Sequence, residues 1–139
     1  MVVRTFQIGT PAKAGDGLRL GVTRRPPRGI PKARWVSEGL FDVWFPALAP
    51  SLKLLGRVKS IDADDPKAWK KFFDSYEREL LADAEKRQTL ETLAAVARRT
   101  PVSIGCFCAE ESRCHRSRLK TLLERSATAM RDPPIQGRK

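Results

Sequence analysis

The stretch Val102–Leu123, VSIGCFCAEESRCHRSRLKTLL, decides how this chain is read. Thr100-Pro101 is a breaker, and Val102, Ile104, Cys106 and Phe107 then form a compact apolar run that suits an interior strand. Ala109 to Ser112 form a short polar turn, in which Ser112 is placed to cap the helix that follows. Leu119, Leu122, Leu123, Ala127 and Met130 recur at helical spacing. All three cysteines and the only histidine fall between Cys106 and His115, so this β–loop–helix unit locates the candidate site.

Working outward, the C-terminal RDPPIQGRK, residues 131–139, is polar and proline-rich and reads as a flexible tail. Upstream, Asp65 caps a helix with Pro66 at its first position, and Trp69, Phe72, Phe73, Tyr76 and Leu80 share one face. Lys70, Lys71, Asp74, Glu77 and Arg78 lie opposite. A second helical run spans Thr89 to Arg99. Ser51 caps a brief helix through Leu55, which Gly56 stops. Leu40–Leu48 is apolar enough for core but is broken by Pro46. Trp35 and Trp44 read as packing residues. Val2–Ile8 and Leu18–Thr23 are β-prone and bounded by Gly and Pro. The second of these runs into RRPPRGIPKAR, where Pro26, Pro27 and Pro31 oppose regular structure.

Strands alternating with helices predict a single α/β domain over residues 1–130, with a small, mostly parallel sheet flanked by helices. In such a sheet, ligands bind where the strand ends gather. The Arg24–Arg34 loop and the Cys108–Arg116 loop are therefore expected to face each other across one edge.

A hydrophobic fraction of 41% supports a folded domain and opposes a disordered chain. No apolar run is long enough to cross a bilayer, and the start lacks the apolar stretch of a secretory signal. An odd number of cysteines, two of them one residue apart, argues against a disulfide framework and for reduced thiols in a cytoplasmic protein. The net charge of +11 is uneven: +8 over residues 1–60, −1 over 61–100 and +4 over 101–139. That field suits an anionic small molecule or nucleic acid as partner, against the plainer reading of a basic protein kept in solution.

Four pieces of the chain resemble one family in the same order. CFCAEESRCHRSRL is similar to the signature of the Domain of Unknown Function 488 family, in which a strand ends in Cys-Ala-Glu (here Cys108, Ala109 and Glu110). In that signature a Cys-His-Arg (Cys114, His115 and Arg116) opens the next helix. DGLRLGVTRRPPRGIPK resembles the strand and Trp-Pro-Arg-Gly loop of its YeaO-like branch. DVWFPALAPSLKLL resembles the branch's Leu-Ala-Pro-Ser turn, and WKKFFDSYERELL its Tyr-x-x-Glu-Leu helix. The resemblance covers most of residues 16–123. Thr23-Arg24 stands where the branch has Asp-Arg, and Pro26 where it has tryptophan. It implies a small cytosolic, mostly prokaryotic α/β protein without an established activity.

Three chemistries compete for the cluster. The first is an anion pocket with Cys108, Glu110, Cys114, His115 and Arg116 as catalytic candidates and Arg24, Arg25, Arg28 and Ser112 as ligand-binding ones. A helix N-terminus attracts negative charge and favours a thiolate, and cysteine beside histidine and arginine suits acyl or phosphoryl transfer. Glu110 would serve as acid or base. The cysteine-phosphatase loop is excluded, because four residues rather than five separate Cys108 from Arg113. The second chemistry is zinc, for which Cys106, Cys108, Cys114 and His115 supply suitable ligand types, with Cys108, Cys114 and His115 as the candidate set. It is disfavoured, since no CxxC pair exists and neighbours on a helix point apart, so no metal or cofactor is expected. The third is a non-catalytic nucleic-acid module using the basic N-terminal loop, with steep salt dependence. Cys106 reads as a small core hydrophobe.

Overall fold

The computed structural model describes residues 3–130, and the expected tail at 131–139 lies outside them. Four strands, β1 (Val3–Gln7), β2 (Leu18–Gly21), β3 (Val43–Trp44) and β4 (Val102–Cys106), form one sheet in the order β1-β4-β2-β3. Every pairing is parallel, with Val3 and Leu18 both in register with Val102. Four helices accompany it: α1 (Leu52–Leu55), α2 (Pro66–Ala82), α3 (Ala84–Ala97) and α4 (His115–Ala129). The α/β class with a parallel sheet is as the sequence implies.

Alternation along the strands sends side chains to two different layers. Val102 and Ile104 of β4 and Leu20 of β2 pack with Phe72, Tyr76 and Leu80 of α2, Leu90 and Leu93 of α3, and Leu119 and Leu123 of α4. The opposite face is covered by loop, not helix: Trp35, Leu40 and Phe41 pack with Ile8 and Phe6. Glycine makes room there. A Cβ on Gly105 would come within 2.4 Å of the Phe6 ring, and one on Gly21 within 2.4 Å of Phe41. Arg19, a polar position of β2, is buried under this loop layer. It donates to the carbonyls of Gly39 and Thr10, lies 3.4 Å from Asp16 and sits over the Phe6 ring.

Local signals explain most element ends. Ser51 Oγ accepts from Leu54 N and Asp65 Oδ1 from Ala68 N, and Pro66 opens α2. Two elements differ from expectation. The helix expected from Thr89 begins at Ala84, because Asp83 ends α2 and caps α3 by accepting from Glu85 N and Lys86 N. The broken apolar stretch at Leu40–Leu48 contributes a two-residue edge strand, β3, held by parallel pairing to β2 that no local pattern encodes. Within the proline-rich loop one 3-10 turn forms, at Lys32–Arg34.

Candidate active site

Because the sheet is parallel, Gly21 and Cys106 end side by side at one edge. Beyond β2 the chain runs on to Trp35, Leu40 and Phe41 of the loop layer, whereas beyond β4 it runs into α4 on the helical layer. Adjacent parallel strands whose exits diverge leave a crevice between them. It is a cleft of about 550 Å³ here, a size that suits a small ligand.

One wall is Thr23 to Pro26 with Arg28; the second is Pro50, Leu52, Leu55, Gly56 and Lys59 around α1; the floor is Cys106, Phe107, Cys108 and His115. Among the described residues, four cations line the cleft and no carboxylate does. Arg25 and Arg28 are exposed, and their guanidinium groups have no partner among the described residues. Arg24 is committed to structure: its Nε donates to Pro50 O at 3.1 Å and its Nη2 to Ala49 O at 2.9 Å. The same turn is held from α2. Tyr76 Oη donates to Leu48 O at 2.6 Å, and Glu79 accepts from both Ser51 N and Ser51 Oγ. The Leu-Ala-Pro-Ser and Tyr-x-x-Glu-Leu motifs are thus two halves of one set of bonds, which fixes the α1 wall.

At the floor, Cys114 is extended (φ −130°, ψ 141°) and α4 starts at His115. Cys114 is the residue before the helix and its side chain makes no capping bond, so the cap expected of Ser112 does not form. Ser112 instead donates to Glu110 and lines a separate groove beside Trp69 and Phe73. Since Cys114 lies outside the helix, Cys114 and His115 are not splayed as helical neighbours would be. Cys114 Sγ and His115 Nδ1 stand 3.8 Å apart. One ligand atom each from Cys106, Cys114 and His115 all lie within 4.8 Å of one another, and Cys106 Sγ is 3.8 Å from Cys108 Sγ.

His115 is buried, with Nε2 2.7 Å from the Val22 carbonyl oxygen. A carbonyl only accepts, so Nε2 carries the proton and Nδ1 presents its lone pair to Cys114. Burial lowers the imidazole pKa to about 4, which keeps the ring neutral at pH 7. Cys108 is the exposed thiol of the three. Its pKa is lowered, first because Cys106 donates its S–H to it, then through Cys114, with Arg116 adding positive charge. The neighbouring sulfurs first, and burial after them, push Cys106 and Cys114 up. Arg116, itself buried, donates from Nη1 to Cys108 O at 2.6 Å and so holds the end of the strand in place.

Of the residues singled out from sequence, Cys108, His115, Arg24, Arg25 and Arg28 line one cleft. Cys114 and Arg116 sit behind its floor. Glu110 and Ser112 are not brought to it: both are exposed and bonded to each other, while Glu111 is drawn to β1 by Thr5. Lys59 and the α1 wall were missed, as was the cleft-facing position of Cys106. Lys59 follows the Leu-Ala-Pro-Ser segment, whose motif was the available signal.

The chain matches, over residues 3–127, the family described as the Active DUF488-N3 subclade. It belongs to the DUF488 family. The match spans all four strands and nearly all of α4. No curated protein and no solved structure matches the chain. Among the described residues of this DUF488 protein, no helix is long and apolar enough to cross a membrane.

Proposed function

We propose that this DUF488 protein is an enzyme that binds a small phosphate- or carboxylate-bearing ligand in the switch-point cleft and acts on it with Cys108. The observation that carries the reading is one cleft lined by Arg24, Arg25, Arg28 and Lys59, with no acid among the described residues, whose floor holds two thiols and an imidazole. Arginine forks match phosphate or carboxylate oxygens, and the prolines around Arg25 and Arg28 limit the entropy lost in holding them. In the step envisaged, Cys108 Sγ bonds to a phosphoryl or acyl centre as the bond to the leaving group breaks. The thiol proton reaches that group through solvent at the open mouth, and water then hydrolyses the intermediate and restores the thiol. The description of the matching family as active agrees with catalysis. Free thiols at Cys106, Cys108 and Cys114 support a reducing, cytoplasmic setting.

Pyrophosphate is a suitable probe. It is expected to bind and to slow alkylation of Cys108 by iodoacetamide. Arg25→Ala with Arg28→Ala is expected to weaken it at least about 10-fold, since each charge-assisted bond contributes about 1.5–3 kcal/mol. The reading fails if neither pyrophosphate nor citrate binds and alkylation is unchanged. Binding of RNA with a steep salt dependence, with Cys108 still alkylated at its free rate, would favour the nucleic-acid module instead.

A further inference from the structure

We propose that Cys106, Cys114 and His115 form a site for a borderline-soft divalent metal ion, zinc in the first place, with its fourth position open to the cleft. This goes beyond the anion reading and stands independently of it. Among the described residues the donor set is two sulfurs and one imidazole nitrogen without a carboxylate, which selects zinc over magnesium or calcium. Zn–S of about 2.3 Å and Zn–N of about 2.0 Å place adjacent ligand atoms of a tetrahedron roughly 3.5–3.8 Å apart. Cys114 Sγ and His115 Nδ1 already stand at 3.8 Å, and all three ligand atoms fall within 4.8 Å of one another. Closing the rest requires shifts of about 1.3 Å or less.

The surroundings have the form of a metal site. All three residues are buried, two of them bracketing the start of α4 and the third ending β4, so their backbones are fixed by regular structure. His115 Nε2–H is held by the Val22 carbonyl, the outer-shell bond that fixes the tautomer and aims Nδ1. Cys106 and His115 also line the cleft, so a ligand oxygen entering it reaches the fourth position. Three crowded thiols cannot all ionise unaided. A dication resolves this by binding two of them as thiolates, releasing their two protons to solvent while the imidazole, already neutral, contributes its lone pair. Cys108 remains the exposed thiol at the mouth.

The test is titration of the chelator-stripped, phosphine-reduced full chain with cobalt(II), followed by zinc(II). The expected result is one ion per chain, a thiolate-to-cobalt charge-transfer band with intense tetrahedral d–d absorption, displacement by zinc, and release of about two protons per ion. Cys106→Ser, Cys114→Ser and His115→Gln should each weaken zinc binding by more than the roughly 10–100-fold that an outer-shell change costs. Cys108→Ser should keep both stoichiometry and spectrum. Circular dichroism checks that each variant folds, and the wild-type titration decides the matter whether or not they do. Absence of stoichiometric binding, or of the charge-transfer band, in folded wild type overturns the site. Loss of the metal in Cys108→Ser overturns its open form. Pyrophosphate affinity measured on the stripped protein tests the anion reading separately.

Discussion

Acidification from pH 7 towards pH 4 is expected to destabilise the metal-free protein by about 3 kcal/mol through His115 alone. The chain has one histidine, so the effect has one source of its kind. In the unfolded chain that imidazole titrates near its ordinary value of about 6.5; in the fold, burial lowers it to about 4. Between those values the unfolded state binds the proton and the folded state does not. Stability therefore falls as pH drops through this window and is fully present above it. A difference of about 2.5 pH units at 1.36 kcal/mol each gives the figure above, a substantial share of the 5–15 kcal/mol typical of a domain. The residue is almost wholly buried, with its Nε2–H committed to Val22 O and its ring 5.5 Å from Tyr76, so solvent screens little of the cost. Urea denaturation from pH 7 to 4.5 would measure it, with His115→Gln as reference, because glutamine retains a donor for Val22 O and does not titrate. The variant should lose the part of the slope that the wild type owes to histidine, and NMR of the single imidazole should give the low pKa directly. Parallel slopes in the two proteins, or a ring that titrates near 6.5, would refute the reasoning.

Two further outcomes test how the cleft is supported. Tyr76→Phe removes the donor to Leu48 O and leaves that buried carbonyl unmatched; a loss of about 1–3 kcal/mol is expected by denaturant melting, together with weaker pyrophosphate binding as the α1 wall loosens. Gly105→Ala drives a Cβ to 2.4 Å from the Phe6 ring in the middle of the sheet, so about 1–3 kcal/mol of overpacking strain is expected, and an unchanged melting midpoint would show that the loop layer yields freely.

Much of the architecture was readable because it is written locally. Pro66 after Asp65, aromatics at helical spacing, Ser51 before Leu52 and an apolar run after Pro101 each specify an element through nearest-neighbour physics. What failed was also local in origin. Ser112 has a capping residue's chemistry, but the 3-10 turn at Glu111–Arg113 moves the helix start to His115. That same shift takes Cys114 out of the helix and brings its sulfur to the imidazole, undoing the spacing argument that had set the two apart. Asp83 was passed over because one residue both ends a helix and caps the next.

The sequence by itself determined the α/β alternation, the concentration of thiols and imidazole after one strand, and the cationic loop after another. Only the tertiary structure decided that β4 inserts between β1 and β2, that the segments following β2 and β4 join different layers, and that Lys59 and Cys106 join the cleft while Glu110 and Ser112 stay out of it. The physical reason is range. Capping, turn chemistry and side-chain periodicity act within a few residues and are visible along the chain. Strand order and the direction of a side chain at a sheet edge depend on pairings such as Leu18 with Val102, more than eighty positions apart, which no local window contains.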